Sequence, residues 1–196
     1  MSEASLSPGF AHPVRDAQAA FRALLEAAAR PGTIASLRVP AEPPPCLPPA
    51  MAAVALTLVD ADTPLWIDAA AHEAAVWLRF HCGCRIVADA REAGFVFAAD
   101  ASALPDMATL DAGRDEYPDR GATIVLAVAG FGSGAALRLT GPGIDGERVV
   151  SVEGLAAGFV AARAANHRLF PRGVDAILVS GAHAMFLPRS TSIEEA

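Results

Sequence analysis

Residues 135–189 read AALRLTGPGIDGERVVSVEGLAAGFVAARAANHRLFPRGVDAILVSGAHAMFLPR. Apolar and polar residues alternate over Leu137–Thr140, which predicts a strand, and the GPG sequence at 141–143 predicts a sharp turn after it. We expect a second short strand at Val149–Val152. A helix is expected from about Glu153, and it must end before Pro171 because proline disfavours the helical conformation of the preceding residue.

The apolar run Val174–Val179 is typical of a buried strand. Residues 180–183 (SGAH) then predict a turn into a hairpin partner at Ala184–Leu187, and residues 188–191 close the segment. Strand, turn, helix and hairpin together predict an α/β core.

Similar patterns fill the rest of the chain. Asp16 is the expected N-cap of the first helix, residues 40–49 contain six prolines and predict a surface loop, and GFGSG at 130–134 predicts a hairpin loop. Residues 113–121 predict a charged loop. Helices are expected at 17–30, 50–60, 70–80 and, irregularly, 100–110, and strands at 33–39, 63–68, 85–88, 94–98 and 123–129.

These elements predict one three-layer α/β/α domain with a mixed sheet over residues 13–192. We expect residues 1–12 to form a flexible lead and residues 193–196 a C-terminal tail. Open sheets of this kind bind ligands beyond the carboxyl ends of their strands.

Composition excludes several classes of protein. The net charge is −7 without a basic run, which argues against binding to nucleic acid or to an anionic membrane surface. No apolar run reaches the length of about 20 residues that a membrane span needs, and the start of the sequence does not resemble a signal peptide. Three cysteines, an odd number, fit a reducing compartment, so we expect a cytoplasmic protein.

The chain contains no lysine, since its 15 basic residues are all arginines. A pyridoxal phosphate Schiff base, a phosphate loop with its lysine and a lysine-dependent aldolase are therefore excluded. Arginine can grip phosphate in a bidentate manner but cannot act as a general base.

Five residues are candidates for an anion or interface site. Arg79 and His81 end a predicted helix, where either the helix dipole simply favours positive charge or the two side chains contact a phosphate or phosphonate. Arg172, Asp175 and Arg189 lie at strand ends in the apolar C-terminal half, together with His183. They form either a buried ion pair or an anion site between chains.

The other polar groups are better explained by structural roles than by catalysis or metal binding. Cys82 and Cys84 beside His81 suggest a metal site but lack a second ligand pair, and Cys46 stands alone in the proline-rich loop. Asp60 and Asp62 either hold Mg²⁺ or form a turn. No catalytic residue and no metal or cofactor ligand is assigned from these patterns.

Seven short sequence segments, taken in their order along the chain, resemble those of one known family. They are HPVRDAQAAFRALLEAAARPG at 12–32, LTLVDADTPLWI at 56–67, LRFH at 78–81, ATIVLAV at 122–128, LRLTGPGI at 137–144, FPRGVDAIL at 170–178 and LPRST at 187–191. Together they resemble the H subunit of the bacterial carbon–phosphorus lyase system, the PhnH family, over about residues 10–192.

The resemblance implies the fold of the large domain of pyridoxal phosphate-dependent transferases without the cofactor, in agreement with the missing lysine. It also implies a subunit that works with G, I and L partners to transfer a phosphonate to the ribose of ATP, with MgATP as the expected co-substrate and with release of adenine. The product is a ribose 1-phosphonate 5-triphosphate, whose C–P bond a separate J subunit cleaves.

Two hypotheses follow from the sequence. In the first, the chain is a subunit of this complex, inactive alone. In the second, it is a self-sufficient enzyme that uses His81 or His183 as a base near an arginine-lined anion pocket. A hydrophobic content of 53% in 196 residues further predicts exposed apolar patches, and thus a homodimer when the chain is isolated.

Overall fold

A computed structural model describes residues 7–196. The helices are α1 (Pro13–Ala29), α2 (Pro49–Leu58), α3 (Ala75–Cys82) and α4 (Phe159–His167). The strands are β1 (Ile34–Ser36), β2 (Leu65–Ile67), β3 (Phe95–Ala98), β4 (Thr123–Ala127), β5 (Gly130–Thr140), β6 (Arg148–Glu153), β7 (Asp175–Ser180), β8 (His183–Leu187) and β9 (Ser192–Glu195).

The main sheet has six strands in the order β1-β8-β7-β4-β3-β2. β2, β3, β4 and β7 are parallel, and β8 runs antiparallel to both β7 and β1. The sheet is therefore mixed, and the prediction of an α/β fold with a mixed sheet is confirmed.

The two faces of this sheet are covered differently. Helices α1, α2 and α3 pack on one face, where Leu24, Met51 and Trp77 join Phe97 and Ile177 in a single apolar core. The other face is covered by α4 and by a second sheet of three antiparallel strands, β6-β5-β9. The expected α/β/α layering is therefore incomplete, because strands make up much of the second outer layer.

Strand β5 corrects the prediction of a hairpin loop at Gly130–Gly134. This GFGSG segment belongs to β5, which pairs with β6 through a register shift between Phe131 and Ala135. Gly132 and Gly134 have φ of 94° and 86°, so glycine permits a β-bulge where a loop was expected. Sequence spacing alone does not distinguish these two uses of glycine.

The expected C-terminal tail is also wrong, because residues 192–195 form β9. This strand pairs antiparallel with β5, with Ile193 opposite Leu139. The side chain of Ile193 is only 1% exposed. The prediction failed because the segment has a single buried apolar residue, which is too few to show a strand period.

Two helix starts differ from the sequence prediction. α1 begins at Pro13, a residue favoured in the first turn, so Asp16 lies inside the helix and its carboxylate accepts a 2.9 Å hydrogen bond from the His12 amide. α4 begins at Phe159, because Glu153 ends β6 and two glycines with positive φ, Gly154 and Gly158, separate the strand from the helix.

Three further segments are less regular than predicted. Residues 85–88 contribute only an isolated bridge between Ile86 and Leu65. The expected helix at 100–110 is two 3₁₀ turns, Ala101–Ala103 and Met107–Thr109, and the one at 70–80 is a 3₁₀ turn, His72–Ala74, followed by α3.

Within the lead expected to be flexible, Phe10 packs into the core and is 7% exposed, whereas Pro8, Ala11 and His12 are exposed. Residues 1–6 of that prediction lie outside the described range. No helix within residues 7–196 is long and apolar enough to cross a membrane.

Candidate functional site

Arg163, a residue that sequence reasoning did not select, is the centre of a polar network at the amino end of β7. It is 1% exposed, and its guanidinium donates to the carbonyl oxygens of Val174 at 2.6 Å, Leu187 at 3.1 Å and Pro188 at 2.6 Å. Burial lowers the pKa of Arg163 to about 10, while nearby Asp175 opposes this shift. The side chain holds the start of β7 and the end of β8 together.

Asn166, one turn further along α4, completes the same network. Its side-chain oxygen accepts from the Val174 amide at 2.7 Å, and its side-chain nitrogen donates to the Val174 carbonyl at 3.0 Å. A buried backbone unit without partners would be costly, so Asn166 replaces the missing sheet partner of Val174. Its signal in the sequence is a polar residue on the apolar face of an amphipathic helix.

Asp175 and Arg189, both predicted site residues, form a partly buried pair beside this network. The Asp175 carboxylate accepts from the Arg189 amide at 2.7 Å and from its Nε at 3.2 Å. Another nitrogen of the Arg189 guanidinium donates to the Pro118 carbonyl. The side chains are 13% and 19% exposed for Arg189 and Asp175. These contacts occupy the guanidinium with groups of the chain itself.

Arg172 lies near this pair in sequence but has different surroundings. Its Nε is 3.0 Å from a carboxylate oxygen of Asp115, and the two side chains are 41% and 82% exposed. The adjacent Gly173 amide donates to the Ala112 carbonyl at 2.8 Å, which holds the two loops together. Arg172 is therefore the more accessible of the two predicted arginines in this region.

Arg79 and His81 lie on α3, against the opposite face of the main sheet from α4. Arg79 is exposed, whereas a ring nitrogen of His81 is 3.0 Å from the Ser7 carbonyl oxygen, which also accepts from Trp77 Nε1 at 3.0 Å. The helix ends at Gly83 in the left-handed conformation, with φ of 68°. The five predicted residues thus fall into two separate groups.

The remaining predicted polar groups have structural surroundings. Asp60 accepts from the Asp62 amide at 3.0 Å and the Thr63 hydroxyl at 2.7 Å, and the Thr63 hydrogen bond is the main cause of its lowered pKa. This is a turn in which Asp62 contributes its backbone. His183 is exposed at the start of β8.

The cysteines are free thiols in this structure. Burial, followed by the charge of Cys84, raises the pKa of Cys82 to about 12, and burial also raises the pKa of Cys46 and of Cys84. Because the thiolate is the form that binds metal or attacks, these shifts disfavour both roles. Within residues 7–196, no group of three or more potential metal-ligating residues is found.

The carboxyl edge of the parallel strands contains a different polar constellation. Asp68 follows β2, is 2% exposed, and accepts from the amides of Ala71 at 2.9 Å and Asp100 at 2.7 Å. Asp100 follows β3 and accepts from both the amide and the hydroxyl of Ser102 at 2.8 Å. Asp68 therefore fixes the segment after β3 where open sheets place ligands.

A cleft of about 650 Å³ lies between this segment and the start of α4. Two carboxylates, Asp100 and Asp106, line it with the Ser102 hydroxyl, and its lining includes no arginine or histidine. Its remaining lining residues are Ala101, Leu104, Pro105, Met107, Leu155, Ala156, Ala157, Gly158, Phe159 and Ala162. This charge distribution disfavours a free anion such as a phosphonate unless a cation or another chain supplies positive charge.

Fold and site together define an α/β protein in which the buried Arg163 and the partly buried Arg189 bind groups of the chain itself and the open cleft is acidic. The sequence matches the family described as "Bacterial phosphonate metabolism protein (PhnH)" over residues 8–194. The chain belongs to this family, as the sequence resemblance indicated.

Two relatives of this chain have named functions. The chain is 40% identical over 190 residues to the alpha-D-ribose 1-methylphosphonate 5-triphosphate synthase subunit PhnH of Rhizobium meliloti, covering 96% of this chain and 95% of that protein. It is 40% identical over 176 residues to the putative C-P lyase subunit protein HtxG of Stutzerimonas stutzeri, covering 90% and 85% of the two chains.

Proposed function

We propose that this protein is a subunit of a cytoplasmic carbon–phosphorus lyase assembly and acts with G, I and L partner subunits to transfer a phosphonate to the ribose of ATP. Adenine is released, and a J subunit acts afterwards on the C–P bond. The observation that carries the proposal is 40% identity to the Rhizobium meliloti subunit across 95% of that protein. MgATP is the proposed co-substrate of the complex.

The site geometry supports a subunit more than a self-sufficient enzyme. The Arg189 guanidinium is engaged by Asp175 and Pro118, so it offers no anion pocket ready for substrate. Among residues 7–196, no hydrogen bond joins a histidine ring to an arginine or carboxylate side chain, as an activated base would need. No observation favours the second hypothesis.

The acidic cleft is consistent with a site that partner subunits complete. Asp100 and Asp106 would repel the triphosphate of ATP and the phosphonate, so positive charge must come from the magnesium of MgATP or from a partner. The exposed Arg79 and the partly exposed Arg172 are the predicted site residues that could still contact a partner or an anion. The isolated chain is proposed to be a homodimer that binds no nucleic acid.

Growth on methylphosphonate as the sole phosphorus source tests the proposal. A strain that lacks only its own H subunit should grow when it expresses this chain and should not grow with an empty vector. Tagged chain purified from phosphate-starved cells should also carry the G and I subunits. Growth equal to that of the empty vector, with normal amounts of folded chain, would contradict the proposed function.

We also propose that the chain binds no pyridoxal phosphate, whatever its likeness to transferases that do. A Schiff base needs a lysine side chain, and the sequence has none. Protein incubated with the cofactor and dialysed should show no aldimine absorbance. A retained band at one equivalent would overturn this prediction.

A further inference from the structure

The acidic cleft beside α4 continues into a second, apolar cavity along the same helix. The first has a volume of about 650 Å³ and the second about 330 Å³, and Asp106, Met107 and Ala162 line both. Phe159 lines only the first cavity and Leu169 only the second. The two cavities together form one groove, here called the α4 groove, which extends from Phe159 to Leu169 for roughly 15 Å at the rise of an α-helix.

The walls of the α4 groove are apolar. Met107 and Phe159 are 4% and 2% exposed and belong to the apolar core beneath it. Ala162, Ala165 and Leu169 follow one another at spacings of three and four residues, so they lie along one side of α4 and its last turn. Because two of these three residues are alanines, the backbone of another chain can approach α4 closely.

The lining of the groove offers no strand edge. It comes from α4, from the 3₁₀ turns Ala101–Ala103 and Met107–Thr109 and from connecting segments, and none of the described lining residues belongs to a strand. An extended partner would have unpaired backbone groups here, whereas a helix satisfies its own. The groove therefore fits an amphipathic helix, whose apolar side chains recur every three or four residues.

Two carboxylates determine the charge that such a helix should carry. One oxygen of Asp106 accepts from the Ala108 amide at 3.0 Å, and one oxygen of Asp100 accepts from the amide and the hydroxyl of Ser102, both at 2.8 Å. Within residues 7–196, the second oxygen of each carboxylate has no hydrogen-bond partner. No arginine or histidine lines either cavity. Both carboxylates are thus held in place and can accept from a basic side chain of a partner.

We propose that the α4 groove docks an amphipathic helix of another subunit of the assembly, with a lysine or arginine of that helix paired to Asp106. This inference rests on the subunit role in the proposed function and assigns that role a surface. Asp106 lies where the two cavities meet, so a basic side chain there has apolar contacts on both sides. Such a helix also brings to the cleft a positive charge that this chain does not provide.

The first test measures binding of the immobilised full chain to the purified G, I and L subunits, singly and mixed. Wild type should bind, and Ala165→Trp, which places a large ring in the groove, should raise the dissociation constant by about a hundredfold or more. Ala19→Trp is the matched control, because Ala19 is exposed on α1 at the opposite face of the main sheet. It should change the constant by less than about twofold.

The second test removes only the charge. Asp106→Asn keeps the oxygen that accepts from the Ala108 amide, and it should raise the dissociation constant about tenfold at low salt and weaken its dependence on salt. Asp145→Asn, at an exposed carboxylate in the loop after β5, is the control and should change neither quantity. Circular dichroism of every variant verifies the fold.

Hydrogen exchange of the wild-type complex locates the contact. Residues 100–109 and 158–169 should exchange more slowly when the partner subunits are bound, and one helical segment of a partner that carries a lysine or arginine should be protected with them. Protection that lies entirely outside these two ranges would contradict the assignment of the groove.

The inference is overturned if both groove variants bind like wild type, if the controls lose affinity equally, or if wild type binds none of the subunits. It is also overturned if Ala165→Trp alters the mass of the isolated chain by light scattering but leaves subunit binding intact, because a second copy then covers the groove. A wild-type chain that supports growth on methylphosphonate while both groove variants bind normally means that only the docking surface is wrong. Groove variants that lose binding in a chain that does not support growth mean that only the function is wrong.

Discussion

Neighbouring arginines in this protein differ in their contribution to stability, because that contribution depends on how deeply each guanidinium is buried. Arg163 and Arg189 bind backbone carbonyls or a partly buried carboxylate, whereas Arg172 pairs with a carboxylate in solvent. The sequence analysis placed Arg172 and Arg189 together at strand ends. The structure separates them, since a buried pair leaves an uncompensated charge when it is broken and an exposed pair does not.

Arg189→Ala should therefore lower the free energy of unfolding by about 2–4 kcal/mol, because it leaves Asp175 without its partner. Arg172→Ala should cost less than about 1 kcal/mol, and so should Arg114→Ala in the charged loop. Urea denaturation of the purified variants measures these differences. Equal losses for Arg189 and Arg172 would contradict the distinction, and growth on methylphosphonate should follow the same order.

Cys82 should react slowly with iodoacetamide. Its pKa is raised from 9.0 to about 12, so at pH 8 the folded protein holds roughly a thousandfold less thiolate at this position than the unfolded chain. Because the folded pKa is the higher one, the thiol form is favoured by folding, and this contribution is lost as the pH rises above about 9 toward 12. Peptide mapping after labelling, with and without urea, measures the ratio. Comparable rates in both states would contradict the prediction.

At the scale of elements, the second sheet explains why short C-terminal and glycine-rich segments are ordered. β9 adds to β5, and Ile193 enters the same apolar core as Leu137 and Leu139. The connection after β5 is held close to α1, since a Cβ on Gly143 would lie 2.1 Å from the Ala29 carbonyl oxygen. The loop after β5 is thus packed against the end of α1.

Ile193→Ala should destabilise the protein by about 2–4 kcal/mol, because the buried side chain leaves a cavity that the surrounding core fills only partly. Glu194→Ala, at the next and exposed position of β9, is the control and should change stability by less than about 0.5 kcal/mol. Thermal unfolding should show a lower midpoint for Ile193→Ala only, by roughly 5–15 °C. Similar midpoints for the two variants would mean that β9 does not depend on this residue.

At the scale of the whole molecule, the cleft at the carboxyl edge of the main sheet lacks what phosphonate transfer requires. Asp100 is positioned by Asp68 and Ser102 and Asp106 by the Ala108 amide, but no cationic side chain lines the cleft. A departing adenine and a bound triphosphate both need groups that stabilise charge. In the proposed complex, these groups must come from the magnesium of MgATP or from the partner subunits.

The purified chain should therefore release no adenine from ATP and methylphosphonate in the presence of Mg²⁺. Addition of the G, I and L subunits should produce adenine and a ribose 1-methylphosphonate 5-triphosphate, detectable by chromatography and phosphorus NMR. A mixture of the three partners without this chain is the control. Adenine release by the isolated chain at a rate near that of the mixture would contradict the proposed role.

The sequence by itself determined the α/β class, the buried strands β4 and β7, the exclusion of lysine chemistry and the family. These features depend on local apolar periodicity, on composition and on the order of short sequence segments, all of which can be read directly from the sequence. Only the tertiary structure decided that GFGSG continues a strand, that residues 192–195 form β9 and that Arg163 lies at the centre of a polar network. Those outcomes depend on partners distant in sequence, because a short segment becomes a strand, and an arginine becomes buried, only when another part of the chain supplies the hydrogen bonds.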